Sequence, residues 1–168
     1  MSQNSSSSGA AVNESVAVAD PVTVEIIGNA LTGIANRITS RMIHAAEAMV
    51  IKEGEDCSSA LFDRNGQLLA ESHTCPILRN AVGTCIKTIL EQYFPLESWK
   101  PGDVVITNDP FAGGESYSTA HSNDFCSLQP VFNDGRLVAF AGLVVHHMDI
   151  GSANMAGQGW NQNIFQEG

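Results

Sequence analysis

The chain has 168 residues, 43% hydrophobic and 15% charged, which is enough for one domain with a real core. Its 18 acidic and 8 basic residues give a formal charge of -10, which argues against nucleic acid as a partner, since a phosphate backbone needs a basic face. Cysteines stand at 57, 75, 85 and 126 with no C-x-x-C spacing, which excludes a zinc ribbon or thioredoxin-like motif and points to reduced thiols.

The first segment, MSQNSSSSGAAVNES, has neither a basic start nor a long apolar run. It is not a secretory signal, and no stretch approaches the ~20 apolar residues of a membrane span. The expectation is a soluble, cytoplasmic protein with no membrane partner. Residues 1–19 are rich in Ser, Ala and Asn; they bury too little to offset ordering entropy and read as a disordered tail.

Asp20-Pro21 reads as a helix start, with Asp as N-cap and Pro in the first turn. Ile27, Leu31, Ile34, Ile38, Met42, Ala45 and Met49 then recur at steps of three and four, predicting one long helix over about 22–50. His44 falls off this stripe and reads as a surface residue. Two short apolar runs, 57–63 and 67–71, flank Arg64-Asn65-Gly66 and predict a β-hairpin, because Asn65 and Gly66 both accept positive φ. Leu78, Val82, Ile86, Ile89, Leu90 and Phe94 predict a second helix over about 76–94, closed by Pro95 and Pro101. His73 and Cys75 precede it, but the sequence places no third partner for a nucleophile.

Val104-Val105-Ile106 predicts a short buried strand, ended by Asn108-Asp109-Pro110. Residues 125–132 and 137–145 flank Asn133-Asp134-Gly135 and predict a second hairpin. Its second strand is apolar on both faces, as in the middle of a sheet. The fold class expected is α+β: two long helices packed on a mostly antiparallel sheet built from β-hairpins. At the end of the chain, Ile164 and Phe165 stand in a polar tail, which suggests docking on a partner or a fragment of a longer chain.

The chemistry concentrates between Gly102 and Gly151. His121 and Asp124 are three residues apart, and His146 and Asp149 repeat that spacing where the apolar strand emerges. Two such pairs bring imidazole and carboxylate near one another, the donor set of a divalent cation site. His146 and His147 point to opposite faces of a strand, so at most one is easily a ligand. Asp109, His147 and Asp149 are the candidates for acid–base or orienting work. Asp109, before Pro110, also has the form of a common turn residue.

Several stretches, in order, carry a resemblance: DPVTVEIIGNAL, EDCSSALFDRNGQLLAES, KPGDVVITNDPFAGG, PVFNDGRLVAF, HHMDIG and NIFQEG. Together they resemble the N-terminal part of the hydantoinase B/oxoprolinase family, over nearly everything from Asp20 to Gly168. One local departure is the insertion of Glu115–Ala120 before His121, where the family runs almost directly from Gly-Gly into Thr-His-x-x-Asp. Family members are several times longer, so the resemblance implies the N-terminal part of a truncated or split domain over 20–168.

The resemblance further implies a B-type component working with an A-type, ATP-binding partner that phosphorylates a cyclic amide such as a hydantoin or 5-oxoproline. Ketone carboxylation is the related branch. Carried over residue by residue, the metal ligands are His121, Asp124 and His146, suited to Mn, Fe or Zn. The turn at Asp134-Gly135 lies nearly midway between Asp124 and His146, so antiparallel pairing brings these strand ends together. Neither G-x-x-x-x-G-K-[ST] nor G-x-G-x-x-G occurs, which agrees with ATP on the partner. The competing reading is a non-catalytic metal-binding or assembly module.

Overall fold

In the computed structural model of the chain, residues 19–111, 119, 121–154 and 159–168 are described. The expected tail lies, apart from Ala19, outside the described residues, as does Glu115–Ala120 apart from Thr119.

Helix α1 spans Pro21–Ala45. Asp20 caps it: Oδ2 accepts the Thr23 N–H at 3.1 Å and the Thr23 hydroxyl at 3.0 Å. The expected single helix to residue 50 is corrected. Ala46 is extended (φ -72, ψ 141), and a separate short helix α2, Met49–Lys52, follows. No residue from Ala45 to Ala48 is a helix breaker, so tertiary packing sets the break. It turns Ala46 and Ile51 onto Cys57 and Val145, forming a small second core.

The docking face of α1 also differs from the expected stripe. Its buried residues are Ala35 and Thr39, whereas Ile27 and Ile34 are exposed, as are Val22, Val24 and Ile26. Small polar contacts hold the helix down: the Thr39 hydroxyl meets Ser59 Oγ at 2.8 Å, and Ser59 Oγ donates to Ala35 O at 2.7 Å.

Strands β1 (Cys57–Asp63) and β2 (Leu68–Glu71) form the first hairpin. Its turn is the expected Arg64-Asn65-Gly66 link, but only Gly66 takes positive φ (78°) and Asn65 does not. Asp63 N–H donates to Gln67 O, and Asp63 Oδ1 accepts the N–H groups of Asn65 and Gln67, each at 2.8 Å. This is a three-residue loop with glycine at its left-handed end. Helix α3, Pro76–Thr88, continues through a π-helical turn, Ile89–Tyr93, and so fills the expected second helix.

Strands β3 (Val105–Thr107), β4 (Asp124–Asn133) and β5 (Arg136–His146) complete the sheet. Among the described residues five strands form one antiparallel sheet in the order β2-β1-β5-β4-β3. The apolar strand β5 is central, as its two apolar faces require. The expectation of a buried strand at 104–106 is corrected: β3 is a sheet edge, with Val104 and Ile106 53% and 63% exposed. The α+β architecture is otherwise as expected, with α1 against the Ser59 face of β1 and α3 against the opposite face.

The main core lies under α3. Val82, Cys85 and Ile86 meet Phe62, Cys126, Leu128, Phe140 and Val144, and Trp99 packs edge-on against Phe140 at 5.1 Å. At Gly142 a Cβ atom would stand 2.6 Å from Val82 Cγ1, so glycine lets α3 sit directly on the central strand.

The β4–β5 turn uses Asp134 (φ 47°) and Gly135 (φ 75°), the two-residue turn that the Asp-Gly pair predicts. The ladder then shifts: Phe132 pairs with Leu137 but Val131 pairs with Ala139, which leaves Val138 as a bulge. Beyond the bulge the register brings Asp124 opposite His146.

Candidate metal centre

Asp124 opens β4 and His146 closes β5, so the two occupy one rung at the open end of the hairpin. Directly paired residues share a sheet face, and the Asp124 Oδ1 to His146 Nδ1 distance is 3.0 Å. His121 reaches the same carboxylate from the preceding turn, with Nε2 3.3 Å from Oδ1. The two imidazole rings lie 4.8 Å apart between centroids. One ligand atom from each of His121, Asp124 and His146 lies within 4.8 Å of the others, so the three could hold a metal ion.

The turn carrying His121 is tied from several sides. Asp124 N–H donates to His121 O at 3.0 Å, and the buried Thr119 hydroxyl donates to the same oxygen. Asn108 Nδ2 donates to Ser122 O at 2.9 Å. Asn123, fully buried, donates Nδ2 to His147 O at 2.7 Å and accepts the His147 N–H on its backbone oxygen at 2.8 Å. These bonds lock the turn to the end of β5 and fix the two imidazoles relative to each other.

The carboxylate is buried and incompletely satisfied. Asp124 is 1% exposed, and its Oδ2 is buried with no hydrogen-bond partner among the described residues. Leaving a carboxylate oxygen buried and unpaired is costly, and a cation beside it would remove that cost. The donor set of two imidazoles and one carboxylate suits Mn, Fe or Zn, so the residues fit the metal that the resemblance implies. Burial raises the Asp124 pKa, but the His121 hydrogen bond and charge, with His146, outweigh it and hold the group below its ordinary value. The hydrogen bond to Asp124 raises the His121 pKa, against burial, and the Asp124, Glu167 and Asp56 charges add to the rise.

The other candidates fall around this cluster. The His147 side chain is exposed, with its ring packed on Phe125 at 4.5 Å, away from His146. Asp149 is exposed and its Oδ1 accepts the Gly151 N–H at 2.9 Å, so the carboxylate beside His146 is Asp124 and not its sequence neighbour Asp149. Asp109 Oδ1 accepts the Phe111 N–H at 2.8 Å in the turn after β3.

One acid that no sequence motif singles out lies close by. The Asp56 carbonyl accepts the His146 N–H at 3.1 Å, and its Oδ2 is 4.0 Å from His146 Nδ1. Its only signal is its place at the head of EDCSSALFD, the strand that pairs with β5. Among the described residues all four cysteines are free thiols. Burial, with the Asp56 and Glu55 charges, pushes the Cys57 thiol up to about 11. No described helix is long and apolar enough to cross a membrane.

Known proteins share this sequence and fold. A putative D-/L-hydantoinase component of the B type, from Pseudomonas sp. (strain NS671), is 32% identical over 136 residues, covering 80% of this chain and 22% of that protein. The 5-oxoprolinase 1 of Arabidopsis thaliana is 31% identical over 152 residues, covering 90% of this chain and 12% of that protein. The chain thus spans a quarter or less of these relatives.

Two solved structures share the fold. A nucleotide-free acetone carboxylase superposes with a TM-score of 0.69 at 20% identity, over 79% of this chain and 17% of that chain. The ATP-dependent caprolactamase from Pseudomonas jessenii superposes with a TM-score of 0.62 at 24% identity, over 89% of this chain and 25% of that chain. Residues 20–168 match the family described as Hydantoinase B/oxoprolinase, and the chain belongs to that family.

Proposed function

We propose that this chain forms the metal-bearing B-type part of an ATP-dependent enzyme that opens a cyclic amide of the hydantoin or 5-oxoproline type, together with an ATP-binding A-type partner. The observation that carries the reading is the convergence of His121, Asp124 and His146 around a buried, half-satisfied carboxylate. Relatives named as a hydantoinase and a 5-oxoprolinase support the substrate class. The chain has neither common phosphate-binding loop, which supports ATP binding on the partner.

An unstrained amide resists hydrolysis because its resonance is lost in the transition state. Phosphorylation of the amide oxygen on the partner turns that oxygen into a leaving group. The B-type site must then supply a positioned water and stabilise the developing charge. His121, Asp124 and His146 would hold Mn, Fe or Zn, and such a cation supplies Lewis-acid polarisation of a carbonyl or phosphoryl oxygen. Asp56, 4.0 Å from His146 Nδ1, is within reach to join or orient this set.

Of the residues considered for acid–base work, Asp109 precedes Pro110 and Phe111, which line the cleft beside His121, but Asp109 itself lines a separate cleft with Tyr93 and Thr107. His147 and Asp149 hold the loop behind the ligands.

The test is reconstitution. The chain, an A-type partner, ATP and hydantoin together should give ring-opened product and ADP, each dependent on the other. The His146→Ala variant should lower the rate by about 100-fold or more. ATP turnover that ignores the cyclic amide, or ring opening unaffected by His146→Ala, would contradict the proposal.

A further inference from the structure

A cleft of about 350 Å³ opens beside the metal cluster, lined by Pro110, Phe111, His121, Asn161, Ile164 and Glu167 among others. Pro110, Phe111 and Ile164 offer apolar walls. Asn161 and Glu167 bring polar groups of opposite kind, a donor and an acceptor.

Asn161 is poised but incompletely used. Its Oδ1 accepts from Asn154 Nδ2 at 2.9 Å. Its Nδ2 is buried and has no hydrogen-bond partner among the described residues. An amide donor left unpaired next to a cleft is expensive unless a ligand completes it.

The segment that supplies these groups is tied down on the far side. Gln166 Oε1 accepts the Gln162 N–H at 2.5 Å, and Gln166 O accepts the Ala153 N–H at 2.8 Å. A Cβ atom at Gly168 would stand 2.7 Å from Ile150 O, so the chain there lies flush on the loop that follows β5. The same loop leaves the strand that carries His146. The cleft wall and the metal cluster therefore share one support, as a preorganised site requires.

We propose that this cleft is the subsite that recognises the amide group itself: Asn161 Nδ2 donates to its carbonyl oxygen, and the Glu167 carboxylate accepts from its N–H. The inference rests on the cyclic-amide reading above and adds the specificity residues. A ring amide with a free N–H presents one donor and one acceptor side by side, its N–H and its C=O, held cis by the ring. An N-alkylated ring or a ketone lacks the donor and would leave the Glu167 carboxylate facing a carbon. Sites built to hydrogen-bond an N–H discriminate strongly against analogues that lack it. The apolar walls accept either face of a flat ring without selecting among rings.

The test uses hydantoin and 1,3-dimethylhydantoin as probes on the full metal-loaded chain, with affinities from ligand-observed NMR titration. Hydantoin should bind at least about tenfold more tightly than its dimethyl analogue. Glu167→Met should abolish that preference, and Asn161→Leu should weaken both probes; thermal melting of each variant shows that it folds, and either folded variant decides the question. Equal affinity for the two probes, or an undiminished preference in folded Glu167→Met, would overturn the inference. Elemental analysis of the same samples separates the two readings. Bound metal without an N–H preference overturns the cleft assignment alone. An N–H preference without bound metal supports the cleft and contradicts the metal centre.

Discussion

Asp124 and His146 face each other across the last rung of the β4–β5 ladder, with Oδ1 3.0 Å from Nδ1. Their meeting depends on one residue far from the site. Val138 bulges out of β5; were it paired in the ladder instead, the register set by the Asp134-Gly135 turn would put Asp124 opposite Val145. A one-residue slip moves every side chain of a strand to the other face. His146 would then leave Asp124 for the face that Val145 now occupies.

Deleting Val138 would remove the bulge and leave the pairs beyond it in place, Asp124 with His146 included, so the deletion variant should retain metal. Val138→Ala, which keeps the residue count at a half-exposed position, should change stability by no more than about 0.5–1 kcal/mol and retain metal. Elemental analysis and chemical denaturation of both variants check this. Loss of metal in the deletion variant would show that the bulge itself, and not the pairing of Asp124 with His146, holds the site together.

The fully buried contact of helix α1 is made by hydroxyl groups, with Met42 and Ile43 half-buried against the second core beside it. Ser59→Ala leaves the buried Thr39 hydroxyl without its partner and should cost about 1–3 kcal/mol in urea unfolding. The double variant Ser59→Ala/Thr39→Val removes both polar groups and should be less destabilised than the sum of the single changes. Strict additivity would mean that the contact contributes nothing.

The His121–Asp124 pair sets a pH dependence. In metal-free protein the Asp124 contribution is present above its ordinary value of 3.8 and is lost as pH falls through its lowered pKa. The His121 contribution is complete below 6.5 and is lost as pH rises through its raised pKa. Metal must displace the His121 proton, so affinity for Mn or Zn should climb as pH rises through the raised His121 pKa, with proton release on binding. Titration calorimetry in buffers of different ionisation enthalpy measures both quantities. Flat affinity with no proton release would exclude His121 as a ligand.

Much of this site is legible in the sequence. The H-x-x-D spacing of His121 and Asp124, a turn midway to His146 and an apolar strand ending there bring the three to one end of the sheet, but their direct pairing needs the Val138 bulge, which no spacing signals. The alternation of His146 and His147 separates a buried imidazole from an exposed one. Asp56, Asn108, Asn161 and Glu167 are not legible, because each reaches the site from another element through tertiary packing. The same cause hides the break in α1 at Ala46: helix propensity continues through Ala45–Ala48, and only contact with Cys57 and Val145 interrupts it. Edge placement makes β3 more exposed than its Val-Val-Ile run suggests.

The measurement closest to the central claim is metal content after loading and dialysis of three proteins: the parent chain, His146→Ala and His147→Ala. The parent should keep one divalent ion per chain. His146→Ala should bind at least about tenfold more weakly, roughly 1.4 kcal/mol, and lose the ion on dialysis. His147→Ala, which removes only the packing on Phe125, should retain it. Equal retention in the parent and His146→Ala, or selective loss in His147→Ala, would contradict the assignment of His121, Asp124 and His146 as the metal centre.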